Sequence, residues 1–316
     1  MSERPRLLMI APAQVRDSLA FERTQALARV MNASVRLVAF VSLDESLPLD
    51  LIATEQVRDA REHYQSYYLD WLENRAGIMR GQGIEVACEV ICNTLPLGSL
   101  LDYLHRVRPD LVIKDAHDEP MLKRIFFTPQ DWQLLRDSPV PVHVVTPAGA
   151  ALPHKILAAV DVLRDDAMTH ELNEQIIDSA RRLAEQCRCP LHLLAVYDWT
   201  ALYVADIGVG RVPVSVSPSY DERKSRFQHL ADRHGIHKDH RHFVVGAPSK
   251  AIDEYVHKNA YDLLVIGSVT HRGLNKLLGS TAQNLLYQPP CSLLVVKPVE
   301  PATGVTPHRW ADARVP

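Results

Sequence analysis

Short apolar runs alternate with longer segments of helical period along most of the chain. Several of the short runs are continuous stretches of valine, isoleucine and leucine, which are typical of strands buried on both faces of a parallel sheet. The predicted strands are residues 7–10, 34–41, 84–92, 110–114, 141–145, 155–160, 190–197, 240–245, 262–266 and 292–296.

Helical patterns fill the spaces between these strands. The predicted helices are residues 18–31, 54–77, 97–107, 169–186, 220–234, 249–258 and 282–287, with Gly77 and Gly235 as helix stops. Alternation of strands and helices predicts the α/β class with right-handed crossovers. We therefore expect two tandem doubly wound parallel sheets of five strands each, with ligands at the carboxyl ends of the strands.

The chain repeats one pattern after about 150 residues. Residues 110–147 contain an aspartate, an apolar strand, a Leu-Leu pair and a last strand that ends in proline, and residues 262–298 contain the corresponding series. The offset is 298 − 147 = 151 residues at one end and 262 − 110 = 152 at the other. We expect domain 1 over residues 1–150, domain 2 over 151–298, a linker at 148–153 and a weakly ordered tail over 299–316.

Composition narrows the classes of partner. The 316 residues are 47% hydrophobic and carry a net charge of −3, so no basic field attracts nucleic acid or an anionic membrane. No apolar run approaches the roughly 18 residues that a membrane span needs. The polar start shows no secretory signal, and the five cysteines form no zinc-like pairs. We expect a cytoplasmic protein without nucleic-acid or membrane partners.

The loop after strand 262–266 carries the candidate chemistry. It opens with Gly267 and ends with Gly279-Ser280-Thr281 at a helix start, where free backbone N–H groups and hydroxyls suit a phosphate. Glycine lets the backbone approach such an anion closely, and Arg272 and Lys276 add positive charge. The loop is not a Walker loop, because Gly-Lys-Ser/Thr is absent.

The equivalent loop of domain 1, residues 114–120, contains no glycine and several acidic groups, which repel a phosphate. Its helix begins at Thr128-Pro129, and Ala11 follows its first strand where domain 2 has Asp161. We predict that domain 1 binds no nucleotide and is a structural partner of domain 2.

The repeat, the segment from Gly267 to Ser280 and the closing Leu-Leu-Val-Val-Lys-Pro strand resemble the universal stress protein superfamily over almost the whole chain. Residues 127–132 and 171–174 are also similar to the tandem E-type members of proteobacteria. Nucleotide-binding members of the family have Gly, two residues, Gly, nine residues and then Gly-Ser/Thr, with an aspartate near the adenosine after the first strand.

The resemblance implies that domain 2 binds ATP or a related adenine nucleotide, with Mg²⁺. The implied site residues are Asp161, Val162, Val196, Gly267, Thr270, Gly273, Gly279, Ser280 and Thr281. The chain departs from the family pattern at two points. Thr270 stands in the place of the second glycine, although a β-branched residue disfavours positive φ, and eight residues rather than nine separate it from Gly279. Gly273 is the alternative second glycine, and a turn cap is the alternative role of Asp161.

These departures leave two functions open. The first is a stress-response regulatory protein, not an enzyme or only a very weak ATPase, with a nucleotide in domain 2. The second is a non-nucleotide scaffold that dimerises and binds protein partners or an apolar small ligand beneath the long loop 200–218. An adenine nucleotide α-hydrolase is disfavoured, because its Ser-Gly-Gly-x-Asp-Ser loop is absent. A homo-oligomer or an intramolecular pseudo-dimer, paired through strands 141–145 and 292–296, is expected in either case.

Histidines 229, 234, 237, 240 and 242 form the densest polar cluster. Their spacing does not place His229 and His234 on one helical face, and His234 precedes Gly235 at a predicted helix end, which favours a cation. We expect a solvated surface here rather than a metal site, which is the alternative.

Overall fold

A computed structural model describes residues 4–12, 14–41, 54–92, 98–119, 124–126, 129–147, 149–198, 220–268 and 279–298. These residues divide into two compact units, which separate between Leu152 and Pro153. Unit 1 contains the described residues up to Glu119 and those of Phe126–Leu152, and unit 2 contains those from Pro153 onward, with residues 124 and 125. The loop 200–218 and the tail 299–316, both singled out in the sequence, lie outside the described residues.

Unit 1 contains a parallel sheet with the order β3-β2-β1-β4-β7. The strands up to the unit boundary are β1 Arg6–Ile10, β2 Ser34–Val41, β3 Val86–Cys92, β4 Leu111–Asp115, the short β5 His117–Glu119 and β6 Arg124–Phe126, and β7 Val142–Val145. The helices are α1 Leu19–Met31, α2 Thr54–Arg80, α3 Gly98–Val107 and α4 Pro129–Asp137.

Unit 2 has the same architecture, with the parallel order β10-β9-β8-β11-β12. Its strands are β8 Ile156–Val160, β9 Leu191–Tyr197, β10 Arg241–Val245, β11 Leu263–Gly267 and β12 Ser292–Val296. Its helices are α5 Ala167–Cys187, α6 Tyr220–Arg233, the 3-10 turn Lys238–His240, α7 Pro248–Lys258 and α8 Ser280–Tyr287. The predicted α/β class and the doubly wound parallel sheets are thus confirmed.

Many strand residues are apolar because the strands are buried on both faces of the sheet. Every residue of β7 and β12 is buried, and Leu263, Leu264 and Val265 of β11 are fully inaccessible. Burial of one such side chain contributes about 1.5–3 kcal/mol relative to leaving it exposed. Functional residues are therefore expected in the loops at the ends of these buried strands.

The aspartate that opens each repeated segment has a structural role. The Asp110 carboxylate accepts a hydrogen bond of 2.7 Å from the backbone N–H of Arg6, and Asp262 accepts 2.7 and 3.1 Å bonds from the N–H groups of His154 and Lys155. Each carboxylate therefore ties the start of its strand to the first strand of the same unit, at the amino edge of the sheet.

Two helix boundaries differ from expectation. Gly77 does not stop α2, which continues to Arg80. The helix stop is Gly83, whose φ of +82° suits only glycine. The Arg80 guanidinium donates a hydrogen bond to the Val86 carbonyl, just beyond this turn. Helix α5 begins before residue 169, because the Asp166 carboxylate accepts from the Thr169 N–H at 2.9 Å and caps the helix. Gly235 has a φ of +61° just after α6, as a helix stop requires.

No helix in the described part of the chain combines the length and the apolar character needed to cross a membrane.

Candidate functional site

The predicted site residues of unit 2 come together at the carboxyl edge, the edge of the sheet at which its parallel strands end. Strands β8 and β11 are neighbours, with Ala158 opposite Val265. Asp161 and Gly267 follow these two residues by three and two positions, so they lie side by side. The strand order reverses between β8 and β11, and doubly wound sheets bind ligands at such a switch point.

Asp161 is exposed, and its backbone is held by a buried asparagine. The Asn173 side chain of α5, which is 5% exposed, accepts from the Asp161 N–H at 3.0 Å and donates to the Asp161 carbonyl at 2.7 Å. The Asp161 carboxylate itself accepts from the Leu163 N–H at 2.8 Å. Asp161 therefore has the turn-capping role. The two hydrogen bonds of the Asn173 side chain, the Asn173 clamp, hold Asp161 and its exposed carboxylate in one place beside the switch point.

Val162 and Val196 are nearly inaccessible, at 6% and 8% exposure. Val162 directly follows Asp161, and Val196 lies near the carboxyl end of β9, beside β8. These two side chains belong to the apolar core beneath the edge, so they would form the floor of a site rather than its polar contacts.

Gly267 is required by packing. A Cβ atom placed on Gly267 would lie 2.5 Å from Cδ2 and 2.7 Å from Cγ of Leu172, closer than carbon atoms approach. Leu172 comes from the second turn of α5, so the absence of a side chain at 267 lets this helix sit tightly on β11. The first glycine of the family pattern thus has a structural reason that involves no ligand.

The start of α8 keeps the properties of an anion site. Its N-cap residue is Gly279, and no side chain of the described residues caps the free N–H groups of the first turn. Ser280 is exposed and Thr281 is half-buried. A Cβ atom at Gly279 would meet nothing within 4 Å, and its φ of −56° is open to any residue, so the space above this turn is open.

Ser268, between Gly267 and the loop, was not singled out from the sequence. The residue is fully buried, its N–H bonds the Val296 carbonyl at 2.8 Å, and its hydroxyl has no hydrogen-bond partner. Buried hydroxyls normally have one, so this oxygen is a candidate contact for a bound group. Thr270, Arg272, Gly273 and Lys276, four loop residues, lie outside the described residues.

Unit 1 fills the corresponding place with its own charges. The repeat offsets align Lys114 and Asp131 with Ile266 and Ala282 of unit 2. Lys114 and Asp131 form a buried ion pair, with side chains 6% and 10% exposed. An internal carboxylate therefore neutralises the Lys114 ammonium at this helix start. That this domain binds no nucleotide stays a prediction.

Asp115 stands where unit 2 has Gly267. It is 6% exposed, and burial raises the pKa of its carboxyl; the Ser18 hydroxyl, the charge of Arg16 and the Ala20 N–H lower it by less. Helix α1 has 13 residues and α5 has 21, although both end at a left-handed residue. The Asp115 carboxylate reaches the start of this shorter helix, whereas α5 extends two turns further over the glycine.

The solvated-surface interpretation of the histidine cluster is wrong for three of its members, His234, His240 and His242; the side chain of His234 is only 9% exposed. His240 and His242 are half-buried and contact His192, because strand pairing brings their segments together. His229 and His237 are exposed, as expected, and His234 lies 2.8 Å from the Glu174 carboxylate. Within the described residues, no group of three or more histidine, cysteine or acidic side chains has a geometry that would hold a metal ion.

Comparison with known proteins agrees with this architecture. The model of the universal stress protein family matches residues 153–297. The universal stress protein E homolog of Haemophilus influenzae is 31% identical over 281 residues, or 86% of both chains. Universal stress protein E of Escherichia coli K12 is 28% identical over 309 residues, or 95% of both chains. A putative universal stress protein of Pseudomonas aeruginosa has a similar solved structure, with a TM-score of 0.70, 23% identity and 94% coverage of both chains.

Proposed function

Since this chain belongs to the universal stress protein family and is similar to its E-type members over most of its length, we propose that it is a stress-response regulatory protein whose second unit binds an adenine nucleotide. The nucleotide would lie at the carboxyl edge of unit 2, and no residue there would have a catalytic role.

The uncapped first turn of α8 is the observation that carries this proposal. Its free N–H groups and the positive end of the helix dipole attract phosphate oxygens. Gly279 leaves room for the phosphate, and the hydroxyls of Ser280 and Thr281 are available at the same turn. The unpartnered Ser268 hydroxyl supplies one further donor. In unit 1, by contrast, a buried ion pair occupies the equivalent helix start.

Asp161 would hold the other end of the nucleotide. Its exposed carboxylate is positioned by the Asn173 clamp, and a carboxylate at this point suits ribose hydroxyls, which are hydrogen-bond donors. Val162 and Val196 would provide apolar surface beneath the base. Mg²⁺ would enter with the phosphates, whose charge it neutralises.

Binding of a fluorescent ATP analogue, with and without Mg²⁺, tests the proposal. Wild-type protein should show saturable binding that Mg²⁺ alters. Gly279→Leu should weaken it by more than tenfold, since the side chain would enter the phosphate space, and circular dichroism should remain unchanged. Gly77→Leu is the matched control, because a Cβ atom there also meets nothing within 4 Å and Gly77 lies in helix α2 of the other unit. Equal affinity of the Gly279 variant and the control would contradict the proposal.

The tight packing of Leu172 against Gly267 favours a second candidate, a scaffold without nucleotide. In this case the glycine is retained for packing alone, and function lies in dimerisation, protein partners or an apolar ligand. Mass spectrometry of the purified protein distinguishes the two, because a co-purifying apolar molecule together with absent ATP binding would support the scaffold.

A further inference from the structure

Three imidazole rings stack at the amino edge of unit 2, opposite the candidate nucleotide site. His192 lies in β9, His240 ends the 3-10 turn and His242 lies in β10. The His192 ring centre is 4.1 Å from that of His240 and 5.2 Å from that of His242. The rings of His192 and His242 are nearly parallel, at 13°. His192 Nδ1 lies 2.9 Å from His242 Nε2, so one ring donates a hydrogen bond to the other.

Among the described residues, no carboxylate forms an ion pair with any of the three rings. The Lys155 ammonium sits 4.3 Å from the ring centre of Tyr261, and the Tyr261 hydroxyl lies 3.4 Å from His242 Nε2. The Asp262 carboxylate is used by the backbone N–H groups at the start of β8. The titratable and charged side chains around the stack come from several elements. The segments next to it carry Lys155, Arg188, Cys189, His237, Lys238, Asp239, Arg241, Tyr261 and Asp262, and α7 carries Lys250, Asp253, Glu254, Tyr255, His257 and Lys258. The ends of α5 and α6 at this edge add Arg181, Glu185 and Asp232, of which Asp232 pairs with Arg241.

Proton uptake would break the contact between the rings. An imidazole accepts a hydrogen bond only through a nitrogen that carries no proton, so the His192–His242 bond is lost when both rings are charged. Burial lowers the pKa of His192 to about 4, with further lowering by His240, His242 and Lys155. Burial, His240 and Lys155 also lower the pKa of His242.

We propose that the stack of His192, His240 and His242 is an acid-sensitive contact, which holds β10 on β9 at neutral pH and releases β10 when the rings take up protons. Strand β10 is suited to such release. It is the outermost strand of the unit 2 order, it pairs with β9 in that order, and none of its residues is fully buried. This inference does not depend on nucleotide binding.

The direction of the effect follows from proton linkage. A histidine whose pKa is lower in the folded state stabilises the fold fully above its free value of 6.5, and this stability is lost as the pH falls toward 4. For His192 alone these two values give about a 30-fold shift of the opening equilibrium at pH 5. Solvent screens a half-buried ring, so we expect a shift on the order of tenfold.

Hydrogen exchange of the β10 amides, residues 241–245, measures the opening. Protection factors, corrected for intrinsic exchange, are compared near pH 7.5 and near pH 5 in the intact protein. In the wild type, protection of β10 should fall on the order of tenfold toward acid pH, while protection of β11 and β12 stays constant. His192→Phe keeps an aromatic ring without a titrating nitrogen, so its β10 should lose most of the pH dependence.

His229→Phe is the matched control, because His229 is exposed on α6 and the same substitution there should leave the wild-type pH dependence intact. The proposal is overturned if β10 protection in the wild type does not change with pH, or if His192→Phe retains the full change. His242→Phe serves as the second variant if circular dichroism shows that His192→Phe is unfolded, because it removes the other ring of the His192–His242 bond, and the same two results decide it.

Discussion

Two neighbouring side chains of α5 determine what the carboxyl edge of unit 2 presents to a ligand. Leu172 packs on Gly267, and Asn173 binds the backbone of Asp161 on both sides. The spacing of apolar residues in the sequence could predict that these two positions lie near the sheet. It could not predict their partners, because the register between a helix and the strands below it is set only by tertiary packing.

At the residue scale, Gly267→Ala should destabilise unit 2 by about 1–3 kcal/mol, since the new methyl group overlaps Leu172. Urea unfolding measures the change. Gly279→Ala is the control and should stay within about 0.5 kcal/mol, because its methyl group enters open space.

The Leu172→Ala background tests the cause. There the Gly267→Ala substitution should cost less than in the wild type, with a coupling energy of about 0.5–3 kcal/mol. Strict additivity of the two substitutions would show that the Leu172 contact does not explain the glycine.

At the scale of elements, the two repeats use one strand–helix junction in two ways. Unit 1 closes the junction between β4 and α4 with the Lys114–Asp131 pair, whereas unit 2 has the apolar residues Ile266 and Ala282, which are 4% and 5% exposed. The loop 114–120 contains no glycine, and this absence predicted a lost anion site. The ion pair itself was not predicted, because its partners are 17 residues apart and meet only after β4 and α4 have packed.

The second repeat supplies the replacement that tests this pair. Lys114→Ile alone should destabilise unit 1 by about 3–5 kcal/mol, because Asp131 would keep a buried charge without its cation. Lys114→Ile with Asp131→Ala, which copies unit 2, should recover most of this loss. Chemical unfolding of the three proteins provides the measurement, and a double variant as unstable as the single one would contradict the compensation.

The positions of the ten strands in the two parallel sheets were predictable, because apolar runs have few alternatives in an alternating α/β pattern. The errors fell where local signals are weak. Gly77 reads as a stop but lies within a helix that Arg80 stabilises through the Val86 carbonyl, and β5 and β6 have three residues each. The histidine stack was missed because its rings come from separate segments, which no spacing along the chain relates.

At the scale of the whole molecule, the units share one fold and differ in what their edges can hold. Unit 1 has a buried carboxyl and an ion pair at the edge where unit 2 has a glycine and an uncapped helix. Duplication of the fold therefore need not duplicate the ligand site, and the structural role of unit 1 stays a prediction.

This asymmetry predicts the stoichiometry of nucleotide binding. Native mass spectrometry of the chain with excess ATP and Mg²⁺ should show saturation at one nucleotide per chain, because the charges at the unit 1 edge already neutralise each other. Gly279→Leu should abolish this single adduct. A second nucleotide per chain, or one that persists in the variant, would place a site in unit 1 and contradict the assignment.

The contact between Leu172 and Gly267 also bears on how such chains evolve. Selection for a well-packed helix is sufficient to keep a glycine at 267, even in a lineage that no longer uses a ligand. Position 279 shows no such steric constraint among the described residues, since a Cβ atom there would meet nothing within 4 Å. In a descendant of this protein, replacement of the glycine at 279 would therefore indicate that the ligand has been lost. Retention of the glycine at 267 would not show that the ligand is still bound.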